Sequence, residues 1–136
     1  LTVVFIGETT RVQPVKEALD RLSAAPFTLV IDGLGRFRRS GGDIYWLGIE
    51  KNETLLKIYS QLVRELSQRG FVLETRDYKP HLTLGREVVL DETTFSSDNF
   101  NRNLKPLTME VTKISLMKSE RLNGTLTYTE IAAKSL

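Results

Sequence analysis

Cysteine is missing from the chain altogether, and histidine occurs once, at position 81. The first absence excludes disulfides and thiolate metal sites and makes a reducing, cytoplasmic compartment the expectation. Together the two leave a structural zinc ion almost no ligands, so no metal is expected, and no motif calls for a cofactor. No apolar run approaches the roughly 18 residues a membrane helix needs, so no membrane partner is expected. The opening residues carry no signal-peptide pattern. A dominant charge is lacking as well. The net charge is only +2, so an anionic partner must be met by a local basic cluster.

What is present suffices for one domain over residues 1–136, with ordinary apolar (40%) and charged (26%) fractions. Residues 1–7 (Leu-Thr-Val-Val-Phe-Ile-Gly) read as a buried strand. Thr9 or Thr10 offers an N-cap to a helix carrying Val15, Ala18, Leu19 and Leu22 at helical spacing. Phe27 to Leu34 and Ile44 to Ile49 read as strands. Between them, glycines flank Arg36-Phe37-Arg38-Arg39, a flexible basic segment. Asn52 can cap a long helix with Leu55, Tyr59, Leu62, Val63 and Leu66 on one face, closed by Gly70. Phe71 to Thr75 could be a short strand. Residues 91–104 read as a loop with one helical turn. Leu107 to Met117 and Thr125 to Ile131 alternate around Leu122-Asn123-Gly124, the pattern of a long hairpin. Strands outnumber helices and hairpins outnumber crossovers, which implies an α+β fold with largely antiparallel sheet. Trp46 is expected in the core.

The stretch with chemistry in it is Lys79-Pro80-His81-Leu82-Thr83-Leu84-Gly85-Arg86. On an extended strand His81 and Thr83 share one face, and Leu82 and Leu84 the other, which would be the core side. An imidazole that titrates near neutrality, a hydroxyl and a nearby guanidinium suit an anionic phosphate. Leu1-Thr2-Val3 echoes Leu82-Thr83-Leu84, and both run on to a glycine and an acidic residue. If the strands are equivalent, the counterpart of His81 falls immediately before Leu1. The chain also opens inside a strand. An intact protein is therefore expected to carry about 30 to 50 further residues, a first strand and helix.

These residues resemble the two-histidine (2H) phosphoesterase superfamily. Within it they resemble the RNA 2′,3′-cyclic phosphodiesterases, or 2′-5′ RNA ligases of the LigT type. Residues 79–86 are similar to the second His-x-Thr motif there, and residues 1–8 to the stretch after the first histidine. Ile114 to Glu120, with Gly124 and Tyr128, resembles the last hairpin. The resemblance implies a bilobal, pseudo-two-fold α+β fold: two mostly antiparallel sheets, flanked by helices, around a central cleft.

It also implies roles. His81 would be one of two catalytic histidines, and Thr83 and Thr2 would bind the phosphate oxygens. Arg86 would approach the phosphate. Phe5, Tyr78, Arg38 and Arg39 are further candidates for base stacking or strand contact. Two imidazoles can supply base and acid for opening a 2′,3′-cyclic phosphate without a metal, and reversible 2′-5′ RNA ligation is the further activity the resemblance implies. The expected partners are RNA ends or small cyclic-phosphate nucleotides, with the protein a monomer. Lacking the first histidine, these 136 residues alone are expected to be inactive. Two other readings stay open: a non-catalytic RNA-binding domain of the same fold, and a phosphodiesterase for a small cyclic phosphate such as an ADP-ribose cyclic phosphate.

Overall fold

Apolar side chains at three- and four-residue steps define the two longer helices. The structure, a computed structural model, describes residues 1–74, 77–91, 93 and 95–136. Helix α1 (Val12–Asp20) buries Val15, Ala18 and Leu19; α2 (Glu53–Gln68) buries Leu55, Ile58, Leu62 and Leu66. Ile58 thus joins the expected face, while Tyr59 and Val63 are half-buried at its margin. Neither Thr9 nor Thr10 is the N-cap of α1. Arg11 holds that place, and its N–H donates to the Thr9 hydroxyl at 3.0 Å. Gly70 closes α2 as expected, with φ at 78°. The Phe71 N–H then reaches back to the Leu66 carbonyl at 3.1 Å, one of the two bonds of a Schellman closure.

The remaining elements are β1 (Phe27–Phe37), β2 (Asp43–Ile49), β3 (His81–Val88), α3 (Ser97–Asn103), β4 (Leu107–Val111), β5 (Lys113–Leu122) and β6 (Thr125–Ser135). One sheet has the order β3-β2-β1-β4, and β5 and β6 form a second. The β1–β2, β2–β3 and β5–β6 pairs are antiparallel. The architecture is α+β, as the strand-rich order implies.

The chain divides into two compact units. The first holds Leu1–Val3, most of the four-stranded sheet and α3. On one face of this sheet Tyr45 is buried and meets Phe95 edge-on at 6.0 Å. Asn101 of α3 accepts from the Leu34 N–H at 2.6 Å and donates to the Leu34 carbonyl at 3.2 Å, which fastens the helix to β1. The second unit holds α1, α2 and the β5–β6 hairpin. Its core joins Val15, Ala18, Leu66 and Phe71, with Val4, Ile6, Leu73 and Leu116 packed against them. Fully burying a valine, leucine or phenylalanine side chain contributes about 1.5–3 kcal/mol relative to exposure.

Four expectations need correction. Residues 1–7 are not a strand. Val4 and Ile6 pack on the core while Phe5 is 72% exposed, so the alternation is real. A strand also needs a ladder partner, and no described residue pairs with this segment in a sheet. Phe71–Glu74 form no strand either; Thr75, the last residue of that expected element, lies outside the described residues. Leu107–Met117 is two strands divided at Thr112, because β4 joins the four-stranded sheet while β5 pairs with β6. Arg36 and Phe37 are not a flexible segment but the end of β1, where Arg36 pairs with Asp43 at 3.5 Å. The hairpin turn is as expected: Asn123 and Gly124 both have positive φ, 51° and 82°, the two-residue form that suits strand twist.

Candidate functional site

β3 brings His81 and Thr83 to the same side of the four-stranded sheet. Opposite them on β2 stand Gly48 and Trp46, with Leu82 facing Leu47. The next pair is Tyr45 with Gly85, so the register slips by one residue and Leu84 becomes an extra residue in β3. This overturns the expectation that Leu84 faces the core: it is 58% exposed. A second irregularity follows between the Tyr45–Gly85 and Asp43–Val88 pairs, and Arg86 lies within it. Five residues after His81, it would alternate onto the far face of a regular strand. β3 is not regular there, and the Arg86 side chain is exposed.

The His81 imidazole is half-buried, and its Nδ1 lies 2.7 Å from the Lys79 carbonyl oxygen. A carbonyl only accepts, so Nδ1 carries a proton, and in the neutral form of the ring the lone pair is on Nε2. Two aromatic rings flank the imidazole. Phe37 meets it edge-on, centroids 5.5 Å apart at 84°, and Trp46 lies 5.9 Å away at 58°. Trp46 is therefore not simply core, as the sequence suggested. It is half-buried beside the histidine. Its Nε1–H is buried with no acceptor among the described residues, a cost of about 1–3 kcal/mol. These two aromatics were missed because their nearness to His81 depends on how β1, β2 and β3 pair. The only signal was the placing of Phe37 and Trp46 on consecutive strands.

The remaining candidates are spread over both units. Thr83 and Arg86 are exposed. Tyr78, half-buried just ahead of β3, donates through its hydroxyl to the Thr2 carbonyl at 3.4 Å, so the opening residues and the approach to His81 meet within one unit. Arg38 and Arg39 are exposed past the end of β1, and the Arg39 N–H donates to Asp43 at 3.1 Å. Phe5 is a residue of the second unit. Among the described residues no group of three or more His, Asp or Glu could hold a metal ion, and no described helix is long and apolar enough to cross a membrane.

A family model described as the 2′-5′ RNA ligase superfamily matches residues 1–123. The chain belongs to the 2′-5′ RNA ligase superfamily. Superfamily relatives with the name RNA 2′,3′-cyclic phosphodiesterase include one from Thermotoga maritima. It is 28% identical over 135 residues, which cover 95% of this chain and 68% of the relative. Another, from Methanocaldococcus jannaschii, is 33% identical over 104 residues, 75% of this chain and 58% of the relative. The chain thus spans part of each relative's length. The superfamily fold is confirmed in three dimensions. Escherichia coli LigT complexed with 3′-AMP superposes with a TM-score of 0.80 at 24% identity, over 100% of this chain and 75% of LigT. TT0787 of Thermus thermophilus gives 0.76 at 22% identity, over 100% of this chain and 76% of that one.

Proposed function

We propose that this protein opens RNA-terminal 2′,3′-cyclic phosphates to 2′-phosphates by acid–base catalysis without a metal ion, and that His81 is one of the two proton-transfer groups. The observation that carries the reading is the setting of His81. Its Nδ1–H is held by the Lys79 carbonyl, which leaves Nε2 to act, and Thr83 shares its face of β3. Relatives named for this activity support the substrate class.

In hydrolysis, His81 Nε2 takes a proton from water as the water oxygen bonds to phosphorus. The bond from phosphorus to the ribose 3′ oxygen breaks, and a second acid protonates that oxygen as it leaves. Charge grows on the non-bridging oxygens, where the Thr83 and Thr2 hydroxyls and the Arg86 guanidinium act as donors. The reading requires a second imidazole two positions ahead of Thr2, which reading the gene there tests. With a ribose 5′-hydroxyl attacking in place of water, the same two groups in the same roles join a 2′-5′ linkage, and the 3′ oxygen again leaves. Tyr78, Arg38 and Arg39 serve to hold the nucleotides next to the phosphate.

The test is to incubate the full-length protein, in excess chelator, with an oligoribonucleotide ending in a 2′,3′-cyclic phosphate. The reading requires a 2′-phosphate end. A 3′-phosphate product, or activity that returns only with added metal, overturns it. Binding of the oligonucleotide without turnover would favour the non-catalytic reading instead.

A further inference from the structure

We propose that Phe37 and Trp46 are positioning residues for His81: an aromatic bracket that holds the imidazole plane so that Nε2 points to one place. The inference rests on the reading of His81 as a proton-transfer group. Its structural half can be tested without that reading.

A hydrogen bond at Nδ1 fixes one point of the ring. The ring could still swing about that point, or flip and offer Nδ1 in place of Nε2. Two walls in different planes remove this freedom. Phe37 stands at 84° to the imidazole and Trp46 at 58°, and the two are themselves in contact, centroids 5.2 Å apart at 34°. The three rings thus form a closed set, in which each touches the other two.

Two independent features indicate that the indole is placed for more than filling space. First, it lies on bare backbone. A Cβ at Gly35, its cross-strand partner, would stand 2.2 Å from Trp46 Cζ2 and 2.3 Å from Cη2. Gly35 needs no positive φ, so the absent side chain is explained by the indole lying over it. Second, the indole N–H is buried without an acceptor among the described residues. Buried donors are almost always paired, so an exception points to a demand elsewhere. A phenyl or aliphatic side chain would avoid the orphan but would not span from Gly35 to the imidazole while also touching Phe37.

The experiment uses nitrogen-15 NMR of the single imidazole, whose two ring nitrogens report the tautomer without overlap. The expected result for the wild type is the Nδ1–H tautomer, with His81 ring protons shifted by ring currents and showing NOEs to Trp46 and Phe37. Gly35→Ala pushes the indole out without touching His81; Trp46→Leu and Phe37→Leu remove one wall each. In any of these that stays folded by circular dichroism, the two ring nitrogens should move towards a tautomer average. In the full-length protein, kcat should fall about ten- to a hundredfold with KM nearly unchanged, and Trp46→Phe should recover part of the loss. A mixed tautomer or missing NOEs in the wild type overturns the proposal. So do folded variants that keep both the wild-type nitrogen pattern and the wild-type kcat. Failure of the functional reading looks different: no turnover by the wild type, with the NMR differences intact.

Discussion

His81 Nδ1 is bonded to the Lys79 carbonyl oxygen at 2.7 Å, two residues back along the same chain. The acceptor is backbone, so no substitution at position 79 removes it directly. The bond can instead be kept while the chemistry is removed. The amide nitrogen of asparagine sits close to where Nδ1 does, and asparagine has nothing at Nε2. His81→Asn should therefore unfold in urea within about 1 kcal/mol of wild type, while turnover of a cyclic phosphate falls by about 10²–10⁴. His81→Gln puts its amide nearer Nε2 and should lose the Lys79 bond as well as the activity. Equal loss of stability in the two variants would contradict the assigned tautomer.

The proposed role of Arg86 makes a prediction of its own. If the guanidinium donates to the phosphate as proposed, Arg86→Ala should lower kcat for cyclic-phosphate opening by about 10²–10³, the range for loss of one oxyanion donor. Arg86→Lys should restore only part, because an ammonium cannot make the planar two-point contact. Steady-state kinetics on the full-length protein check both. An unchanged kcat in Arg86→Ala would place Arg86 outside the site.

The register slip at Leu84 sets a contrast in stability. Ile58 is fully buried on α2, and Leu84 is 58% exposed. Ile58→Ala should cost about 2–5 kcal/mol in urea unfolding. Leu84→Ala should lie within about 0.5 kcal/mol of wild type. A large loss at Leu84 would mean that it packs as the simple alternation of β3 suggested.

Acid should weaken the β5–β6 hairpin in a defined direction. Hydrogen bonds from Lys113, at 2.8 Å, and from Ser115, at 2.5 Å, hold the Glu130 carboxyl below its ordinary value of 4.5. A carboxylate lowered in the folded state adds stability above its unfolded value and loses it as pH falls through the folded one. The urea midpoints of wild type and Glu130→Gln, separated at pH 7, should therefore converge below pH 4.5. A gap independent of pH would contradict this.

Much of this was legible from side-chain spacing alone. The faces of α1 and α2, the Gly70 closure, the Asn123-Gly124 turn and the His81 strand all depend on contacts local in sequence. What was missed depends on pairing. Nothing in residues 1–7 reveals that no strand takes them as a partner. Alternation through Leu82, Thr83 and Leu84 cannot show a slip, because the slip is a property of β3 against β2. For the same reason Leu107–Met117 read as one strand although its two halves join different sheets. Phe37 and Trp46 are 44 and 35 positions from His81 in sequence and come to it only through the β1–β2–β3 order.

The most direct measurement is the rate at which full-length wild-type protein and its His81→Ala variant convert an oligoribonucleotide 2′,3′-cyclic phosphate, in chelator, under single-turnover conditions. The wild type should give a 2′-phosphate end, and His81→Ala should be slower by about 10² or more while still binding the oligonucleotide. Equal rates for the two proteins would contradict the central claim that His81 moves a proton in the reaction.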